Sequence, residues 1–326
     1  MTILVTGGLG FIGSNLCNMM LSRGIDFDIV DDMSNGHIEF FQRQQSCPST
    51  SGIGSLFTCD FSDWFLLARI KSRKYRYVIH LAANPRVSYS VAHPVETHET
   101  NVFKTLKLIE ACKGNIEKFV FASSCAVYGN AAIIPTTEFQ QRLDPQSPYA
   151  FQKLEVESYL KMYSNMNGFE SIALRFFNVY GPNALGDSPY TTALAAWLRA
   201  IRDGRPMRSD GDGSQSRDLI HVDDVCEAII TAVGCPEKFG SIEMNIGTGK
   251  SYMNMTILQK LLSWYPQSTV EQSPSRPGDV HRTCANVQRA SSLLKWQPRI
   301  EFFDGMRSTA DWAMNSDEFV TLTSRV

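Results

Sequence analysis

Three glycines spaced three apart, Gly7, Gly10 and Gly13, interrupt the apolar opening MTILVTGGLGFIG, and apolar sequence resumes directly after them. A strand, a tight turn and a helix satisfy that pattern. Gly7 then permits the turn, Gly10 leaves the backbone bare for a ligand, and Gly13 lets the helix pack closely on the strand. The first N–H groups of such a helix have no intrahelical partner and sit at the positive end of its dipole. A phosphate suits that place.

The sequence downstream decides what the turn serves. Strands are expected at Ile3–Thr6, Asp28–Val30, Leu56–Thr58, Val78–Leu81, Lys118–Phe121 and Ser171–Arg175. Helical patterns lie between them, at about Phe11–Arg23, His37–Gln45, Asp63–Lys71, Pro94–Lys113 and Pro148–Met166. This alternation predicts an α/β fold, a Rossmann-type doubly wound parallel sheet with helices on both faces. In the fourth helix, Val102, Leu106 and Ile109 form a stripe expected to face the core. Asp31 ends the second strand, where a carboxylate can accept bonds from an adenosine ribose. With Asp32 beside it, a 2′-phosphate would be repelled, so the turn predicts NAD rather than NADP. Asp60, after the third strand, fits either an adenine edge or the cap of the next helix.

After Arg175 the alternation decays. Asn178–Tyr190 reads as a loop, Thr191–Arg202 and Val222–Val233 as helices, and EMNIG as a strand. From about Asn254 onward the pattern gives short helices, one strand near Thr269 and the loop SPSRPGDVH. The expected organisation is an NAD-binding domain over 1–177, rejoined by segments near 217–248. Residues 178–326 would form most of a second, smaller mixed α/β lobe that binds substrate.

Composition narrows the partners. The net charge of −2, with no run of like charge, argues against nucleic acid. No apolar stretch reaches membrane-spanning length. Met1 leads straight into the first strand with no basic segment, so no secretory leader is expected and the cytoplasm is the expected location. The eight cysteines form no CxxC pair, which predicts reduced thiols and no metal site.

The stretch SPYAFQK places Tyr149 and Lys153 four residues apart, on one face of a helix that Ser147 and Pro148 would open. A phenol in that first turn, near an ammonium, should have a lowered pKa and could act as a base. The strand KFVFASS ends in Ser123 and Ser124, at the sheet edge where ligands of this fold bind.

With these motifs the chain resembles the extended short-chain dehydrogenase/reductases, and among them the nucleotide-sugar epimerases of the UDP-glucose 4-epimerase type. The resemblance rests on TGGLGFIG, HLAA at His80–Ala83, SSCAVYG at Ser123–Gly129, PYAFQK, LRFFNVYGP at Leu174–Pro182, SRDLIHVDD at Ser216–Asp224, NIGTG at Asn245–Gly249 and RPGDVHR at Arg276–Arg282. It implies that Ser124, Tyr149 and Lys153 are catalytic. Tyr149 would take the proton of the sugar 4-hydroxyl while C4 gives hydride to NAD, Lys153 would bond the nicotinamide ribose, and Ser124 the sugar oxygen. The 4-keto sugar would turn over and regain hydride on its other face. Cofactor contacts would come from Gly7, Gly10, Phe11, Ile12, Gly13, Asp31, Asp32, Asp60, Phe61, Leu81, Ala82 and Ala83, besides Tyr149 and Lys153. Asn178 would serve the sugar-phosphate region and Arg217 and Arg276 the diphosphate. Thr283, seven residues after Arg276, would line the pocket near the sugar 2-substituent, where a small side chain leaves room for an N-acetyl group. A homodimer through the fourth and fifth helices is implied as well.

Related chemistries compete. A 4,6-dehydratase, like a UDP-glucuronate decarboxylase, carries acidic residues directly after the hydroxyl matching Ser124, where this chain has Cys125 and Ala126. A UDP-glucuronate 4-epimerase fits the loop RVSYS, with Arg86 toward the substrate, although Asn178 matches the glucose type better. A non-catalytic NAD sensor tends to lose the tyrosine or the lysine, and this chain has both.

Overall fold

The computed structural model describes residues 2–42, 53–139, 143–185, 192–274 and 280–322. Seven parallel strands form the central sheet. Six are β1 (Ile3–Thr6), β2 (Phe27–Val30), β3 (Ile53–Phe57), β4 (Tyr77–His80), β5 (Lys118–Ser124) and β6 (Glu170–Phe176). The seventh is Ser241–Ile246, and the order across the sheet is Ser241–Ile246, β6, β5, β4, β1, β2, β3. Strands β1, β2 and β4 are buried on both faces, which explains their unbroken apolar character. Apolar clusters cover both faces: Leu16, Met20, Val225 and Ile229 on one, Leu66, Leu108, Val156 and Leu160 on the other. The Val222–Gly234 helix is tied to the sheet through Lys118. Its ammonium donates to the carbonyls of Ala232, Val233 and Cys235 at 3.0, 3.1 and 2.5 Å, so the orphan acceptors of that helix end are satisfied by a buried side chain.

Two sequence expectations change. The fourth helix is not uniform: Pro94–His98 and Thr105–Cys112 are α-helical, but Glu99–Lys104 between them is a π-helix. The wider turn rotates the later residues, so Leu108 joins Val102 and Ile109 in the core while Leu106 stays half-buried. The expected loop from Asn178 begins as a strand, Asn178–Tyr180, which pairs in parallel with Leu219–His221. The smaller lobe adds Met207–Asp210 paired with Val270–Ser273, and Ser216–Arg217 paired with Tyr252–Met253. Leu194, Trp197, Leu258, Met306 and Phe319 share its core. The seven described cysteines are free thiols, and no described helix is long and apolar enough to cross a membrane.

The sheet centre contains an acid-sensitive group. His80 is 1% exposed and contacts the rings of Phe61, Phe119 and Phe121. Its ring nitrogens meet the hydroxyls of Thr6 at 2.6 Å and Thr105 at 2.9 Å. Burial, helped by the Lys153 charge, holds its pKa at about 3. The unfolded imidazole takes up its proton near pH 6.5, and the folded one only near pH 3. Stability is therefore expected to fall as pH drops below 6.5, by about 1.4 kcal/mol per pH unit from this group. Urea unfolding at pH 6, 5 and 4 checks this: His80→Phe should flatten the decline, and an equally steep decline would reject the assignment.

Candidate active site

The glycines do what their spacing predicts. Gly7 has φ +70°, and its N–H bonds Val30 O at 2.8 Å, which closes the turn. A Cβ on Gly13 would lie 2.0 Å from Gly7 O, so the helix Phe11–Ser22 approaches the turn as only glycine allows. A Cβ on Gly10 would meet only Gly7 O, at 3.4 Å, and otherwise point into the open cleft. Gly10 is also the N-cap, and no described side chain caps that helix, so its first N–H groups face a space that suits an anion.

A cleft runs along the C-terminal ends of the strands. Gly7, Phe11, Asp31, Ala82, Lys153 and Tyr149 line it from end to end, with Gly10, Ile12, Gly13, Asp32, Phe61, Leu81, Ala83 and Arg86 between them. Asp31 accepts the backbone N–H groups of Leu9 and Met33, both at 2.9 Å, through different oxygens. A carboxylate has about four acceptor positions, so capacity for a ribose remains. Burial pushes the Asp31 pKa up against those bonds. Asp32 is exposed and folds the turn, accepting from Ser34 N and Oγ at 2.9 and 2.6 Å. Asp60 does not cap the following helix, which Asp63 does; it accepts from Ser62 and pairs with Lys104 at 2.6 Å.

At the other end of the cleft stands the Pro148–Asn167 helix, capped by Ser147. Ser90 Oγ accepts from Tyr149 N at 3.1 Å, so the first turn is held from outside as well. Tyr149 is buried, and Ser124, whose Oγ accepts from Ala126 N at 3.1 Å, acts to lower the pKa of its phenol. Of the two expected serines Ser123 lines the cleft, and its hydroxyl donates to Glu157 at 2.5 Å. Lys153 donates to Ala122 O at 2.8 Å, with its ammonium 4.7 Å from the Phe121 ring centroid and 5.7 Å from that of Tyr149. The expected lowering of the Tyr149 pKa is not found. Burial raises it to about 12 against the opposing influence of Ser124, and burial lowers Lys153 to about 7 despite the Glu157 charge. Desolvation of both groups outweighs the helix dipole and the nearby ammonium.

Behind this pair lies a polar network that spacing did not reveal. Arg175 on β6 donates to Glu157 at 2.9 and 2.6 Å and to Tyr128 Oη at 2.9 Å. Tyr128 donates in turn to Asn245 at 2.6 Å. Both members of the Arg175–Glu157 pair are 3% exposed. Glu157 stands four residues after Lys153, the same interval that marks Tyr149, and that interval is the available signal. A second tie joins Asn101 of the π-helix to Asn84 and to Gln152, at 2.8 Å in the latter case.

The smaller lobe gathers its expected residues around Asp218. This buried carboxylate accepts from Thr248 N and Oγ1, Gly249 N and Ala285 N, at 2.6–2.9 Å. Asn178 donates to Asp218 O at 2.9 Å and to Thr283 Oγ1 at 3.0 Å, which brings three distant segments to one point. Arg217, half-buried, donates to the carbonyls of Ser216 and His281. Its charge and that of Asp218 both act on Cys125, beside Ser124, so this cluster abuts the catalytic end of the cleft. Arg276 lies outside the described residues.

Comparison with known proteins agrees with this geometry. The profile of the NAD dependent epimerase/dehydratase family matches residues 3–247. A UDP-glucose 4-epimerase from Rhizobium leguminosarum bv. trifolii is 33% identical, covering 97% of this chain and 98% of its own. Among solved structures, a UDP-N-acetylglucosamine 4-epimerase from Methanobrevibacter ruminantium M1 superposes with a TM-score of 0.88 at 32% identity, over 99% of both chains. A UDP-glucose 4-epimerase from Thermus thermophilus, in complex with NAD, gives 0.82 at 30% identity, over 97% of this chain and 100% of that one. The chain belongs to the NAD-dependent epimerase/dehydratase family, as an NAD-using UDP-sugar epimerase of the extended short-chain dehydrogenase/reductase type.

Proposed function

We propose that the protein interconverts UDP-sugars at C4, of the glucose/galactose type and with N-acetylated forms accepted. The observation that carries this reading is the Tyr149–Lys153 pair lining the glycine-turn cleft, with Ser124 ending the strand beside it. Bound NAD supplies a hydride acceptor that returns the hydride, and its nicotinamide carries the positive charge that favours a phenolate nearby. The glycine turn and the open helix end would hold its diphosphate, and Asp31 its adenosine ribose. Tyr149 Oη takes the proton of the 4-hydroxyl and gives it back to the same oxygen once hydride has returned to the other face of C4. Ser124 holds the phenol in position, and Lys153 orients the cofactor ribose from the next turn of the same helix. Cys125 and Ala126 supply no acid for a dehydration, since burial pushes the Cys125 thiol up to about 12.

Several features bear on the finer assignment. The small side chain of Thr283, bonded to Asn178, supports a pocket with room for an N-acetyl group. The exposed Val91, Val95 and Phe103 lie on helical segments packed beside the catalytic helix, which itself exposes Phe151, and such apolar groups suit a second copy of this chain. The free thiols fit a cytoplasmic location.

The test is incubation with UDP-glucose, UDP-galactose, their N-acetylated forms and UDP-glucuronate, resolving the epimers while following absorbance for NADH. Interconversion without NADH accumulation is expected, and stoichiometric NADH release would mean a dehydrogenase instead. Thr283→Tyr should reduce turnover of the N-acetylated pair by about tenfold or more relative to the plain pair, on the scale of an overfilled pocket. Equal loss for both pairs would remove Thr283 from the role of gate.

A further inference from the structure

One contact in the cleft joins walls that the sheet keeps apart. β2 and β4 flank β1, so their C-terminal ends lie two strand spacings from each other, about 10 Å. Asn35 belongs to the turn that follows β2, and Arg86 to the segment that follows β4. Arg86 Nη2 nevertheless donates to Asn35 Oδ1 at 2.7 Å, and both residues line the cleft. The bond therefore passes across the end of β1, where the glycine turn begins. A guanidinium is planar and permanently charged, the side chain best matched to a diphosphate. Asn35 holds it at the wall formed by the turn after β2, which also carries Asp31 and Asp32 into the cleft.

We propose that Arg86 and Asn35 form a strap over the diphosphate of bound NAD, and that Arg86 retains the cofactor instead of contacting the sugar. The strap must open for the cofactor to leave, so it slows exchange as well as adding affinity. The proposal rests on the diphosphate lying at the glycine turn.

Titration of cofactor-free protein with NAD, ADP-ribose and adenosine, with a chase experiment for NAD release, tests it. Arg86→Ala should weaken NAD and ADP-ribose alike by about 10- to 100-fold and leave adenosine unchanged. Arg86→Lys should recover part of the loss, because the charge returns without the planar fork. Asn35→Ala should speed NAD release with a smaller loss of affinity, since the charge stays. Unchanged NAD affinity in Arg86→Ala, with a raised KM for UDP-sugar, would overturn the strap. So would an equal loss for adenosine, which would mean general damage to the cleft. Asp31→Ala separates the strap from the cofactor placement beneath it. If it weakens NAD while Arg86→Ala does not, only the strap fails; if neither matters, the placement of the dinucleotide fails with it.

Discussion

Tyr149→Phe is expected to lower epimerisation by about 10²- to 10⁴-fold while NAD remains bound, the range typical for loss of a general base. The ring keeps its packing, because the phenol occupies a buried site and phenylalanine fills nearly the same volume. What disappears is the phenol oxygen that takes the proton. Ser124→Ala should cost less, since the base remains and only its partner is gone. The pH–rate profile adds a second readout. Without cofactor burial raises the phenol to about 12 and lowers Lys153 to about 7, so the profile is compared with that of Lys153→Met, and a limb well below 12 that persists there would report the charge that NAD brings to the phenol. Undiminished turnover in Tyr149→Phe would remove Tyr149 from the chemistry, whatever the fold.

The second large effect concerns stability. Arg175→Met leaves the Glu157 carboxylate buried at 3% exposure without its bidentate partner, facing only the Ser123 hydroxyl among the bonds described. Breaking a buried pair in this way costs about 3–5 kcal/mol. Glu157→Gln in the same chain removes the stranded charge, so the double variant should be more stable than Arg175→Met alone. Urea unfolding of the three proteins decides it. A loss below ~1 kcal/mol for Arg175→Met, or a double variant no better than the single, would show that the pair carries little.

What can be read from the sequence follows the range of the interactions involved. β1 is legible residue for residue, because a four-residue apolar run beside a glycine turn is a local signal. The roles of Gly7, Gly10 and Gly13 are equally local, each fixed by its own backbone geometry. Asn178–Tyr180 reads as loop because three residues carry no period, and the strand exists only through its partner Leu219–His221. The π-helical stretch is invisible for a related reason: hydrophobic spacing assumes a constant turn, and Asn101 departs from it to reach Asn84 and Gln152. The acidity of Tyr149 is misjudged because the sequence shows the neighbouring charge but not the depth of burial. Asp60 invites a reading from its place after a strand, whereas Lys104, far along the chain, decides what its carboxylate does.

The position of Ser241–Ile246 also governs how the protein is born. This strand completes the sheet beside β6, yet the whole stretch from Asn178 to Gly240 is synthesised between the two. A ribosome adding ~5–20 residues per second therefore leaves the growing chain for several seconds with β6 as an open edge. An unpaired parallel edge of ESIALRF is a template for pairing with another nascent chain. Until Ile246 has emerged, that edge has no partner strand within its own chain.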